Sequence, residues 1–158
     1  MKINFPFNLQ LRLYLSCLEK RQGACSKVYK EVDKHITMWD FDNVELSVIK
    51  ESLEVVQKQY KLPTIYIISS SRNRYHAYSF TARPFQEIVH ILSGTSSLDV
   101  KYLRLGMVRG YYTLRISSRE NDDFKLITTL ESEVLPEVNP LDITVSEYMT
   151  INKGDNNA

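Results

Sequence analysis

Two carboxylates one residue apart, set among bulky apolar side chains in Met38-Trp39-Asp40-Phe41-Asp42, constrain this chain more than any other feature. In a β-strand residues i and i+2 project from the same face, so Asp40 and Asp42 stand side by side. Like charges at that separation repel, and where they are partly buried one takes up a proton unless a cation lies between them. A hard divalent ion, Mg²⁺ or Mn²⁺, is the partner such a pair selects. The alternative is a strand end at which both acids point into water, and the motif alone fits either reading.

At 158 residues the chain suits one domain, residues 1–158, with a sizeable core. A net charge of +1 excludes a histone-like tail or an acidic solvating segment, so any contact with nucleic acid has to come from local clusters of basic residues. Cys17 and Cys25 form neither a CxxC motif nor a Cys/His cluster. That argues against structural zinc and for reduced thiols in an intracellular, cytoplasmic protein. The opening Met1-Lys2-Ile3-Asn4-Phe5-Pro6 lacks the apolar run of a signal peptide, and no stretch reaches bilayer length, so no membrane partner is expected.

Hydrophobic periodicity organises the rest. Residues 8–20 are ambiguous between strand and helix, and 20–34 read as a polar loop or short helix. Residues 36–42 read as a strand, followed by a helix capped by Asn43 or Ser47 with Val48, Leu53, Val55 and Val56 on its apolar side. Pro63 ends it. Ile65-Tyr66-Ile67-Ile68 reads as a buried strand, 69–74 as a polar turn, and 75–80 as an antiparallel return strand. Pro84 starts a second helix over 85–92 that stops at Ser93-Gly94. Residues 100–108 and 111–117 read as a hairpin turning at Arg109-Gly110. This order predicts an α+β fold, a split β-α-β antiparallel sheet with helices packed on one face, with a core of about residues 36–120. Residues 121–158 read as a loosely packed C-terminal extension.

Two further constellations carry chemistry. The stretch from Ser69 to Tyr78 sets three hydroxyls, Arg72, Arg74 and His76 around one turn, a set of donors suited to phosphate oxygens. A solvated hairpin loop is the plain alternative. Arg104, Arg109, Arg115 and Arg119 cluster at the second hairpin, and Arg115, flanked by Leu114 and Ile116, needs an acidic or phosphate partner on an interior strand. A salt bridge to Asp40, Asp42 or Asp99 would serve as well.

The series Trp39-Asp40-Phe41-Asp42, Ser70-Ser71-Arg72-Asn73-Arg74-Tyr75-His76-Ala77-Tyr78 and Thr113-Leu114-Arg115-Ile116-Ser117 resembles the archaeo-eukaryotic primase family, which includes the primase-polymerases of plasmids and viruses. That family places an aspartate pair on one strand, an SxH-type motif beside the nucleotide phosphates and a third carboxylate on a late strand, all on an RRM-like sheet. The resemblance, over about residues 36–118, implies that Asp40 and Asp42 are catalytic ligands of Mg²⁺ or Mn²⁺. It implies that Ser71, Arg72, Arg74, His76 and Arg115 bind the nucleoside triphosphate. It also implies a single-stranded DNA template and a helicase or other replication protein of a mobile element as partners, in the host cell if the element is viral. Ser117 stands where the family's third acid belongs, with Asp99 as the substitute at a different offset. Two function classes follow: a primase-polymerase-like nucleotidyltransferase, or a catalytically inactive RRM-like relative that binds single-stranded nucleic acid, stacking bases on Tyr66, Tyr75, Tyr78, Tyr111 or Tyr112. A rolling-circle nicking domain needs an HxH metal motif, which His35, His76 and His90 do not supply.

Overall fold

The computed structural model describes the backbone of residues 2–4, 10–12, 17–29, 31–116 and 124–152, and the side chains of 21–29, 31–116 and 124–147. The chain divides into two units, residues 1–21 with 147–158, and residues 22–146. In the first, β1 (Lys2–Asn4) and β2 (Gln10–Arg12) pair antiparallel with Lys2 opposite Arg12.

The second unit is α+β. Its framework runs β3 (Cys17–Val28) from Gln22 onward, β4 (Lys34–Asp42), α1 (Leu46–Tyr60), β5 (Ile65–Ser71), β6 (Arg74–Pro84), α2 (Phe85–Ser93), α3 (Val100–Arg109), β7 (Thr113–Arg115), β8 (Lys125–Leu130) and β9 (Ile143–Asn152) as far as Ser146. The sheet order is β7-β3-β4-β6-β5-β8, antiparallel at every step, with β9 joining β3. The β4-α1-β5-β6-α2 segment, with β6 between β4 and β5, is the expected RRM-like split β-α-β arrangement.

Alternation builds the core. On β4, Trp39 and Phe41 alternate with the two acids; Ala77 stands opposite Trp39 on β6 and Ile67 opposite Ala77 on β5, and all four are fully buried. Ile49, Leu53 and Val56 of α1 and Ile88, Ile91 and Leu92 of α2 complete the same cluster. Each such side chain stabilises the fold by about 1.5–3 kcal/mol relative to exposure. The Trp39 indole donates to Thr95 Oγ1 at 3.0 Å, which satisfies its N–H in the interior. Among the described residues no helix is long and apolar enough to cross a membrane.

Several local expectations are corrected. Residues 100–109 form α3, not a strand. Asp99 caps the helix with Oδ1 accepting from Lys101 N at 2.7 Å, and Gly110, at φ 75°, closes it through a bond to Gly106 O. Residues 17–28 form β3 rather than a loop or short helix, held partly by Ser26, whose hydroxyl meets His35 Nδ1 at 2.8 Å and accepts from Tyr112 N at 3.0 Å. Helix α1 starts after Glu45, with neither Asn43 nor Ser47 as its cap, and it buries Ile49, Leu53 and Val56 while Val48 and Val55 face outward. The serine-rich stretch through Ser71 is strand, leaving Arg72 and Asn73 as the turn, with Asn73 at φ 55°. Residues 125–130 are not loose: they pair with β5, Thr129 opposite Tyr66.

One topological departure positions the site. β3 pairs with β4 where Lys27 faces His35, and then turns to β7. The β4 carbonyls beyond that point find donors on α3 instead: Met38 O accepts from Tyr102 OH and Asp40 O from Asp99 N, each at 3.0 Å. Gly106 lets α3 sit against Tyr112, since a Cβ there would overlap the Tyr112 ring.

Candidate functional site

The β4–β6 register sets Asp40 opposite His76 and Asp42 opposite Arg74. Cross-strand partners share a face, so the four side chains form one cluster. His76 Nε2 lies 3.6 Å from Asp40 Oδ1 and Arg74 Nε 3.5 Å from Asp42 Oδ1. From β7, Arg115 Nη2 donates to Ser70 O of β5 at 3.1 Å, and its guanidinium sits 5.2 Å from the centroid of the Phe124 ring. Phe124 also packs 5.9 Å from the His76 ring, so one aromatic side chain links imidazole and guanidinium. Tyr78 OH approaches His76 Nδ1 at 3.5 Å.

The electrostatics follow from burial. The Asp40 carboxyl is pushed up to about 7, first by desolvation and then by Asp42 and Asp99; Arg74 and Arg115 pull the other way without offsetting this. His76 is pushed down to about 4 by desolvation and then by Arg115. The 3.6 Å contact is an ion pair only if His76 is protonated, and burial opposes that; between about pH 4 and 7 the pair is uncharged on both sides. Above this range Asp40 becomes an anion beside two other carboxylates.

Such a surplus of oxygen-borne negative charge suits a hard divalent cation, so the donor chemistry of Asp40 and Asp42 fits Mg²⁺ or Mn²⁺. Among the described residues no group of three or more His, Cys, Asp or Glu side chains is disposed to hold a metal. A cation at the aspartate pair would have room for water or phosphate oxygens as further ligands, of the kind Mg²⁺ usually keeps.

Of the residues singled out from sequence, Asp40, Asp42, Arg74, His76 and Arg115 come together. Ser71 stands opposite Arg74 in register, while Arg72 is exposed at the hairpin tip. It is Ser70 whose carbonyl engages Arg115. Arg104 and Arg109 lie on α3, exposed, and Ser117 and Arg119 fall outside the described residues. The tyrosines are mostly structural: Tyr78 and Tyr112 are buried, and Tyr66 packs 5.5 Å from the Phe80 ring. Sequence reasoning missed Phe124 and the role of Asp99. A capping residue before an apolar run that ends in glycine signalled the latter; Phe124 carried no such signal. Comparison with family models, curated proteins and solved structures found no match in any of the three.

Proposed function

We propose that this domain is a primase-polymerase-like nucleotidyltransferase of a mobile-element replication system, acting inside the cell on nucleoside triphosphates and a single-stranded DNA template. The observation that carries the reading is the convergence of Asp40, Asp42, Arg74, His76 and Arg115 from three strands onto one cluster.

Asp40 and Asp42 would hold Mg²⁺ or Mn²⁺, and the bound ion supplies charge neutralisation for the polyphosphate. Arg115, its fork oriented by the bond to Ser70 O, and Arg74 contribute fixed positive charge where phosphate charge builds up. His76, neutral at physiological pH, offers one N–H as a hydrogen-bond donor to a phosphate oxygen. Ser71 and Arg72 stand at the same hairpin end to receive the outer phosphates. A 3′-hydroxyl then attacks the α-phosphorus in line, the new O–P bond forming as the bond to the β-phosphate oxygen breaks. Pyrophosphate leaves and the hydroxyl proton passes to solvent. A helicase or other replication protein is the natural companion for such a domain.

One contact favours the second reading, a non-catalytic relative that binds single strands. Asp99, whose charge acts on Asp40, uses Oδ1 to cap its own helix at Lys101 N. That leaves Asp40 and Asp42, already facing His76 and Arg74, where two-metal transfer uses more acids. The test is incorporation of labelled nucleotide with Mn²⁺ by the wild-type chain and by Asp40→Asn/Asp42→Asn. Transfer abolished in the variant supports the enzyme. Absence of transfer in the wild type, with metal-independent strand binding equal in both, leaves the binding module.

A further inference from the structure

Helix α3 begins at the site and carries a charge pattern of its own. Its N-terminal amide at Asp99 bonds Asp40 O, and ten residues extend about 15 Å from there. Tyr102 and Gly106 face the interior. The outward face holds Lys101, Arg104 and Arg109, all exposed, and the helix contains no acid. None of the three cations forms an ion pair with a described residue. Between them Val100, Leu105, Met107 and Val108 are 55%, 48%, 52% and 86% exposed. Just past Gly110, the Tyr111 ring carries the Lys27 ammonium 4.9 Å from its centroid.

This differs from an ordinary solvated face. The exposed side of α1 mixes Glu51, Glu54 and Lys58, with Lys50 half-buried among them, whereas α3 shows one sign only. In a chain of net charge +1, three unpaired cations on ten residues make a local positive field.

We propose that the outward face of α3 is the docking surface for a single-stranded polynucleotide led to the Asp40/Asp42 cluster, an inference that rests on the nucleotidyl-transfer reading above. The cations neutralise backbone phosphates, and the exposed aliphatic side chains between them meet base faces that a duplex would hide. The bond from Asp99 N–H to Asp40 O ties this surface to β4, so a strand lying on α3 ends beside the carboxylates.

The test is binding of fluorescein-labelled oligothymidine by anisotropy across a sodium chloride series. The wild-type chain is compared with Lys101→Gln/Arg104→Gln/Arg109→Gln and with the α1 control Lys50→Gln/Lys58→Gln. Circular dichroism melts establish that each variant keeps the fold. The α3 variant binds more weakly, and its log K against log salt slope is shallower by about 2, while the α1 control changes neither. Equal slopes for wild type and α3 variant, or no binding by the wild type, overturn the proposal. So does α3-dependent attachment to phosphatidylserine vesicles with oligothymidine binding unchanged, because the surface is then a lipid one. A wild-type chain that binds the strand through α3 yet incorporates no nucleotide removes the transfer reading alone.

Discussion

Asp40 and His76 face one another across the β4–β6 ladder, Oδ1 to Nε2 at 3.6 Å, and burial drives both toward their uncharged forms. A shared surface that favours neutral groups at rest is a surface whose charge changes when a cation or a phosphate arrives. That coupling generates the first prediction.

The two shifts have opposite consequences for stability. Asp40 rises from 3.8 to about 7, so between those values the folded chain holds a proton the unfolded chain has released, and stability falls as pH rises. His76 drops from 6.5 to about 4, so there the unfolded chain holds the extra proton, and stability rises with pH. From about pH 4 to 6.5 the contributions oppose each other. Urea unfolding of Asp40→Asn is expected to show stability climbing more steeply with pH across that window than in the wild type. His76→Gln is expected to shift the slope the other way. Parallel profiles for all three proteins would contradict the assignment.

Cation binding at the aspartate pair has a readout independent of catalysis. Substoichiometric Mn²⁺ added to ¹⁵N-labelled protein should broaden amide signals around Asp40, Asp42, Arg74 and His76 first, because these residues share one face. Asp40→Asn/Asp42→Asn should abolish that pattern. Broadening centred elsewhere in the molecule, or unchanged in the variant, would rule out the pair as the ligand set.

Thr95 holds the only tryptophan in place. Its hydroxyl accepts from Trp39 Nε1 and donates to Ile91 O at 3.1 Å, and both residues are buried. Thr95→Val keeps the volume and strands the indole N–H, so stability should drop by about 1–3 kcal/mol. Denaturant unfolding followed by Trp39 emission measures it directly; an unchanged midpoint would mean that the indole finds another acceptor.

Gly106→Ala tests the seat of α3. A methyl group there collides with Tyr112, whose ring also lies 5.0 Å from that of Tyr102. Overpacking of this kind costs about 1–3 kcal/mol, although alanine is the better helix former. The change should also weaken the hold of Tyr102 on Met38 O, seen as faster amide exchange along β4. A variant as stable as the wild type would show that α3 can shift without cost.

Much of the site was legible because it depends on short-range spacing. Asp40 and Asp42 share a face by the alternation of any strand, and the hairpin carrying Arg74 and His76 is marked by the β-branched run before it and the polar turn within it. Helices α1 and α2 follow from their apolar periodicity. The segment Val100-Lys101-Tyr102-Leu103-Arg104-Leu105 misleads because Val100-Lys101-Tyr102 and Leu103-Arg104-Leu105 each read as a short alternating run, while Tyr102, Leu103 and Gly106 also share one helical side. The small, polar β3 and the β8 strand likewise owe their form to the strands they pair with, not to strong patterns of their own.

The amino-acid sequence by itself determined the α+β class, the acid pair and its facing hairpin, since each rests on contacts between residues a few positions apart or on one turn. Tertiary structure alone decided that Val100–Arg109 is a helix and that Asp99 joins the acids. Where β3 leaves β4 for β7, the carbonyls of Met38 and Asp40 need donors, and Tyr102 OH and Asp99 N–H supply them from 64 and 59 residues further along the chain.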